Sequence, residues 1–198
     1  VWVGVFFMND NTKPKILGII LWFSGLSGAG KTTVAEGVLS CFKKNISACI
    51  IDGDSVRETI HRHLGFSKSD IKTNNELISE LCLEKRKNND VVMVPIISPY
   101  GQYRKDARIK LHPGFYEIYF SANLDCVIQR DVKGLYAKSS AGAINNMIGV
   151  SKTNPFQPPK SPDLIINTEK ESIQTSVEKL FSFSLICLNK VNHTNQII

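Results

Sequence analysis

Residues 18–23, GIILWF, lead through Ser24 into Gly25-Leu26-Ser27-Gly28-Ala29-Gly30-Lys31-Thr32, with Thr33 behind them. The stretch from Gly25 to Thr32 matches the phosphate-binding pattern G-x-x-x-x-G-K-[ST] in full. Its glycines let backbone N–H groups turn inward around phosphate oxygens, and the helix that follows adds its positive N-terminal end. The pattern constrains the fold as much as the ligand, because it needs a buried strand before it and a helix after it. Both are legible here, which a chance glycine-rich turn would lack. Lys31 is expected to reach the β- and γ-phosphates of a nucleotide, and the Thr32 hydroxyl to bind Mg²⁺.

Short apolar runs then alternate with longer amphipathic stretches. Residues 19–23, 48–51, 91–97, 115–120 and 164–166 read as strands, most of them apolar on both faces, as in a parallel sheet covered by helices. Residues 32–44, 55–64, 70–88, 104–111, 124–131 and 172–181 read as helices. In the third, Leu77, Ile78, Leu81 and Cys82 form one apolar stripe, and Ser67 with Asp70 makes a capping-box start. This alternation predicts an α/β fold of three layers with a mostly parallel central sheet. Residues 138–162, rich in Ser, Asn, Gly and Pro, are expected to form a mobile lid. After about Leu185 the tail turns polar and is expected to fray.

Composition narrows the function classes. With 198 residues, 42% hydrophobic and 21% charged, the chain reads as one soluble globular domain. The net charge of +6 is scattered, without a basic block interleaved with aromatics, which argues against nucleic acid as a partner. Several phosphates in one cleft call for positive potential anyway. The five cysteines include no CxxC pair, which argues for a reducing, cytoplasmic setting and against a zinc knuckle or disulfide framework. The four histidines form no ligand constellation, and His61 and His63 read as surface or satisfied residues. No run has membrane length, and VWVGVFF at residues 1–7 lacks a signal peptide's charged start.

A phosphate loop alone does not separate a GTPase, a motor ATPase and a small-molecule kinase. Asp52-Gly53-Asp54 places two carboxylates at the end of a buried strand, where ligands bind in open α/β sheets, with Arg57 about one helical turn later. That set suits metal handling and activation of an acceptor hydroxyl. There is no guanine-reading NKxD-type motif. The fold expected is therefore a P-loop kinase fold acting on a small acceptor. Residues 16–185 would form the kinase domain, 1–15 an N-terminal extension and 186–198 a C-terminal tail.

At this point the chain resembles the adenylylsulfate kinases (APS kinases), from about Leu21 to Leu180. The resemblance is carried by GLSGAGKTT, DGDSVR at residues 52–57, LGFS at 64–67, the spacing of Asp70 to Asn74, and ISPY at 97–100. Arg104, Arg108, RDVKGLYAK at 130–138, Gly142, Gly149 and PDLIINT at 162–168 continue it. Spacing follows the family up to Gly149, after which there are two extra residues. The resemblance implies ATP-dependent phosphorylation of the 3′-hydroxyl of adenylyl sulfate to 3′-phosphoadenylyl sulfate, with ATP and Mg²⁺ as cofactors. Gly25, Leu26, Ser27, Gly28, Ala29, Gly30, Lys31, Thr32 and Thr33 would hold ATP, with Thr32 and Asp52 serving the metal. Asp54 would accept or polarise the 3′-hydroxyl proton, and Arg57 and Lys133 would offset phosphosulfate or phosphoryl charge. Phe66 would stack on the acceptor base, Asn74 would hydrogen-bond the nucleotide, and Ile97 and Ser98 would line its pocket with Asn146 and Met147. Ser98 joins Lys31 and Asp54 as a catalytic candidate because some family members have been described with a phosphoserine there; direct in-line transfer is the reading favoured here.

The chain departs from the family on the acceptor side. After Asp70 the family usually reads Arg-x-x-Asn-x-Arg-Arg, whereas here stand Ile71, Asn74, Glu76 and Leu77. In the lid, Ser140 and Ala143 replace charged residues, and Met147 stands where an aromatic would complete the base sandwich. Two further readings therefore stay open: a kinase for the same hydroxyl of another nucleotide anhydride, such as cytidine diphosphoramidate, and a nucleotide-binding partner with little activity. A homodimer, or association with an ATP sulfurylase, is a further expectation.

Overall fold

The computed structural model describes residues 17–43, 45–144 and 146–194. Five strands, β1 (Ile19–Ser24), β2 (Ala48–Ile50), β3 (Val91–Val94), β4 (Phe115–Ser121) and β5 (Leu164–Asn167), form one sheet in the order β2-β3-β1-β4-β5. Every neighbouring pair is parallel, and the register pairs Ile20 of β1 with Val92 on one side and Phe115 on the other. The helices are α1 (Lys31–Cys41), α2 (Gly53–Thr59), α3 (Lys68–Lys85), α4 (Gly101–Leu111), α5 (Leu124–Arg130), α6 (Leu135–Ser140) and α7 (Ile173–Thr194). The chain is thus α/β in three layers.

Side chains on a strand alternate between faces, so the central strand β1 supplies two cores. Ile19, Leu21 and Phe23 pack with Val34 and Val38 of α1, Val127 of α5 and Leu180 of α7. Ile20 and Trp22 pack on the opposite face with Val56 of α2, Ile78 and Cys82 of α3, and Leu111 of α4. All six residues of β1 are buried, which places the loop after it on the most enclosed part of the sheet.

The expected strands and helices are all present, with shifted ends. β3 stops at Val94 because Pro95 cannot continue the ladder. α2 starts two residues before Ser55 because the Asp52 carboxylate caps it. α3 starts at Lys68 behind the complete Ser67–Asp70 capping box. Two expectations fail. Part of the region read as a loose lid is the end of helix α6, begun after Gly134 at φ 63°. The polar tail does not fray at Leu185: α7 continues to Thr194, since Cys187, Leu188 and Val191 recur at helical spacing and are buried in the core. The expected N-terminal extension lies outside the described residues.

Removing everything after Leu185 should therefore destabilise the domain, not trim a loose end. Burial of one aliphatic side chain is worth about 1.5–3 kcal/mol, so losing Cys187, Leu188 and Val191 should cost several kcal/mol. Urea denaturation of the shortened chain should show a clearly lower midpoint; an unchanged midpoint would mean that the last turns of α7 contribute no core.

Candidate active site

The phosphate loop is shaped by backbone constraints that only glycine meets. Gly28 and Gly30 have φ of 76° and 81°, in the left-handed region. A Cβ on Gly25 would stand 2.6 Å from the Phe120 carbonyl oxygen of β4. The loop's carbonyls are engaged by donors on several sides. Tyr136 of α6 donates its hydroxyl to the Ser27 carbonyl at 2.8 Å, and Thr168 Oγ1 donates to the Ala29 carbonyl at 3.1 Å. Thr168 is itself held by Arg130, whose guanidinium reaches the Thr168 carbonyl at 2.5 Å. The Gly25 amide donates to the Ile97 carbonyl at 3.2 Å, tying the loop to the segment after β3.

Lys31, the first residue of α1, folds its ammonium back onto the Gly25 and Leu26 carbonyls at 2.9 and 2.7 Å. Burial, reinforced by the nearby positive charge of Lys133, lowers its pKa to about 7, while Asp54 and Asp52 pull the other way. Burial penalises the cation, and an incoming phosphate would relieve that penalty.

Asp52 serves two elements at once. Its Oδ1 accepts from the Asp54 and Ser55 amides at 3.1 and 3.0 Å, capping α2, while Oδ2 accepts from Thr32 Oγ1 at 3.1 Å. The result is a hydroxyl and a carboxylate oxygen side by side at the mouth of the phosphate loop. Such a hard-oxygen pair fits Mg²⁺, which keeps several waters and takes phosphate oxygens for the rest. Asp54, more than half exposed, forms an ion pair with Lys133, which stands between α5 and α6. An exposed pair of this kind is weak and easily opened by a charged ligand.

One turn along α2 from Asp54, the Arg57 guanidinium lies over the Phe66 ring at 4.7 Å and donates to the Gly65 carbonyl at 3.0 Å. Phe66 is 51% exposed, so an aromatic residue is presented to solvent with a cation against its ring. Ser98 differs from this open geometry. It is buried with φ at 43°, and its hydroxyl accepts from Trp22 Nε1 at 3.1 Å and Asn75 Nδ2 at 3.3 Å. Arg104 donates to the Ser98 carbonyl at 2.6 Å, and its Nε lies 2.6 Å from Glu117 Oε1 in a buried ion pair. Burial pushes the Glu117 carboxyl up, against the pull of Arg104.

The phosphate loop follows β1 and the Asp52–Asp54 pair follows β2, so both lie at carboxyl ends of one parallel sheet, where Lys133 reaches Asp54. The sequence profile of the adenylylsulphate kinase family matches residues 17–167. This chain belongs to the adenylylsulphate kinase family. The adenylyl-sulfate kinase of Halothermothrix orenii is 41% identical over 170 residues, covering 84% of this chain and 89% of its own. That of Prochlorococcus marinus is 40% identical over 175 residues, 87% of this chain and 86% of its own. Among solved structures, the Mycobacterium tuberculosis APS kinase CysC in complex with AMPPNP and APS superposes with a TM-score of 0.78 at 34% identity, covering 83% of this chain and 96% of that one.

The residues singled out from the sequence fall into two groups. Residues 25–33, Asp52, Asp54 and Lys133 come together around the phosphate loop. Arg57, Phe66 and Asn146 form the second group, Arg57 lying over the Phe66 ring and the Phe66 and Asn146 carbonyls both accepting from Asn154 Nδ2. Asn74, expected to face the acceptor, is buried with its Oδ1 against His61 Nδ1 at 2.9 Å. Met147 is buried in the core cluster that includes Leu26. Ile97 packs beside Ile71, Tyr100 and Ile148. Of the departures from the family pattern, Ile71 is 2% exposed within that cluster, and Glu76 pairs with Lys72 at 3.5 Å on the groove between α3 and α4. Sequence reasoning assigned no role to Arg130, Tyr136 and Thr168, the residues that hold the phosphate loop. Arg130 and Tyr136 lie inside the quoted RDVKGLYAK run, so the signal was present without its meaning.

The lowered pKa of Lys31 has a measurable consequence. In the free protein Lys31 loses its proton as pH rises through about 7, and a bound triphosphate restores it. Nucleotide binding at pH 8 should therefore take up a proton, and at pH 6 should not. Calorimetry in buffers of different ionisation enthalpy reads this directly, and Lys31→Met should abolish the uptake. Equal proton uptake at both pH values would remove Lys31 as its source.

Proposed function

We propose that the protein transfers the γ-phosphoryl group of ATP to the 3′-hydroxyl of adenylyl sulfate, giving ADP and 3′-phosphoadenylyl sulfate. The observation that carries this reading is the placement of Asp54: an exposed carboxylate two residues past the Asp52 of the Thr32–Asp52 oxygen pair, electrostatically coupled to Lys31 and paired with Lys133. A hydroxyl acceptor bound there would meet a base within reach of the phosphoryl group it attacks.

The chain's own residues would divide the work as follows. Backbone amides of the phosphate loop and Lys31 hold and orient the triphosphate. Thr32 and Asp52 hold Mg²⁺, which when bound offsets charge on the phosphate oxygens. Asp54 leaves Lys133 to accept the proton of the acceptor hydroxyl, and Lys133, freed, faces the anionic phosphates or phosphosulfate. Arg57 and Phe66 receive the acceptor on the other side, the ring supplying a face for the base. Ser98 takes no phosphoryl group in this scheme: its buried hydroxyl already accepts from Trp22 and Asn75, an arrangement that suits an anchor for the acceptor wall. Transfer is then direct.

The relatives' names favour adenylyl sulfate over cytidine diphosphoramidate as acceptor. They also bear on partners: one solved relative, from Thiobacillus denitrificans, is titled a hexameric APS kinase, and a Sorangium cellulosum relative is named a probable bifunctional SAT/APS kinase 2. Self-association or work beside an ATP sulfurylase belongs to the same reading. So does a cytoplasmic setting, which suits the five free cysteines; among the described residues, no helix is long and apolar enough to cross a membrane.

With Mg²⁺, ATP and adenylyl sulfate, ADP release should depend on the acceptor's 3′-hydroxyl. A 3′-deoxy acceptor should bind and not react. Asp54→Asn should lower kcat by about 10²–10⁴-fold with little change in KM, the usual range for losing a general base. ADP release that continues equally with the 3′-deoxy compound would make the protein a simple ATPase, and a tenfold preference for cytidine diphosphoramidate would replace the acceptor.

A further inference from the structure

Asn154 is 3% exposed, and a buried carboxamide must find partners for its oxygen and its two N–H groups. Its partners come from three distant parts of the chain. The Tyr100 hydroxyl donates to Oδ1 at 2.9 Å, and Nδ2 donates to the Phe66 carbonyl at 2.8 Å and, more loosely, to the Asn146 carbonyl at 3.4 Å. Two carbonyls can only accept, so the orientation of the amide is set by its neighbours. The Asn154 carbonyl also accepts from the Gly149 amide at 2.7 Å, closing the loop that carries it.

The connection matters because of what Phe66 lacks. Phe66 is about half exposed, so the placement of its ring depends on the backbone beneath it and on the Arg57 guanidinium. That backbone is held at three consecutive residues by three different groups. Arg57 holds the Gly65 carbonyl, Asn154 the Phe66 carbonyl, and Asp70 the Ser67 amide at 3.2 Å. Of these, only the Asn154 link crosses to another segment of the fold, the 146–154 loop. Tyr100, which orients the carboxamide, is packed with Ile71 and Ile148 and stands edge-on to Tyr103 at 5.1 Å. The loop therefore leans on a fixed wall.

We infer that Asn154 is a positioning residue for the acceptor: it latches the 146–154 loop onto the Phe66 backbone and so sets the ring against which the acceptor base stacks. Its side-chain hydrogen bonds go to Tyr100, Phe66 and Asn146 and not to the phosphate loop or to Asp52, so its influence should fall mainly on one substrate. The inference rests on the acceptor side proposed above.

The test is a set of variants assayed with both substrates. Asn154→Ala should raise the KM for adenylyl sulfate about tenfold, the worth of one or two net hydrogen bonds, with the KM for ATP within twofold and kcat within about threefold. Tyr100→Phe, which keeps the ring and removes only the donor, should shift the same KM in the same direction by a few fold. In a Phe66→Ala background, Asn154→Ala should add less than twofold, because it acts through the ring. Amide hydrogen exchange gives a reading without substrate: Asn154→Ala should speed exchange both at Gly149 and around residues 65–67. Equal rises in both KM values, or full multiplication of the Phe66 and Asn154 effects, would overturn the positioning role. If the unmodified protein fails to turn over adenylyl sulfate, the acceptor assignment falls instead. The latch is then judged by exchange alone, where loosening of both segments supports it and loosening of one overturns it.

Discussion

All five strands run the same way, and both faces of the sheet are covered by helices. In such a sheet every connection from a carboxyl end opens on the same side. The phosphate loop after β1, the Asp52–Asp54 pair after β2, the Ser98 segment after β3 and Thr168 after β5 are neighbours for that reason. The strand that carries the phosphate loop is the central one, so the loop is braced by β4 at Phe120, by the β3 segment at Ile97 and by the β5 turn at Thr168.

Bracing and charge are linked at this edge. The phosphate loop's carbonyls are occupied by side chains and by the Lys31 ammonium, an arrangement that suits N–H groups being offered to an anion. The same enclosure that orders the loop desolvates Lys31. A cation held at a disadvantage binds phosphate with part of its desolvation already incurred, the electrostatic form of preorganisation. Asp52 shows comparable economy: one carboxylate starts α2 and fixes the Thr32 hydroxyl, so the oxygen pair for a metal is built by a helix cap.

The segment around Phe66 is organised differently. Phe66 is exposed, Asn74 and Asn154 are buried, and the placement of the segment comes from backbone hydrogen bonds spread over loops. That placement depends on segments that meet only in the folded chain, whereas the phosphate loop is built largely from one local run.

Much of this was legible in the residues alone. Apolar runs of strand length between amphipathic stretches determined the α/β layering, the eight-residue pattern at Gly25 determined the phosphate loop, and Ser67 with Asp70 determined where α3 begins, because each depends on chemistry within a few residues. The tail was misjudged because a polar average hid Cys187, Leu188 and Val191, which form a stripe only when the helix is continued. The hydrogen bonds that join Asn74 to His61 and Ser98 to Trp22 and Asn75 link residues too far along the chain, or on another element, for spacing to reveal. Asn154 was likewise invisible: nothing local distinguishes it from any asparagine in a loop. Local sequence determined the elements and the phosphate grip, while the tertiary structure alone decided which polar groups satisfy one another in the interior, because burial is a property of the whole fold.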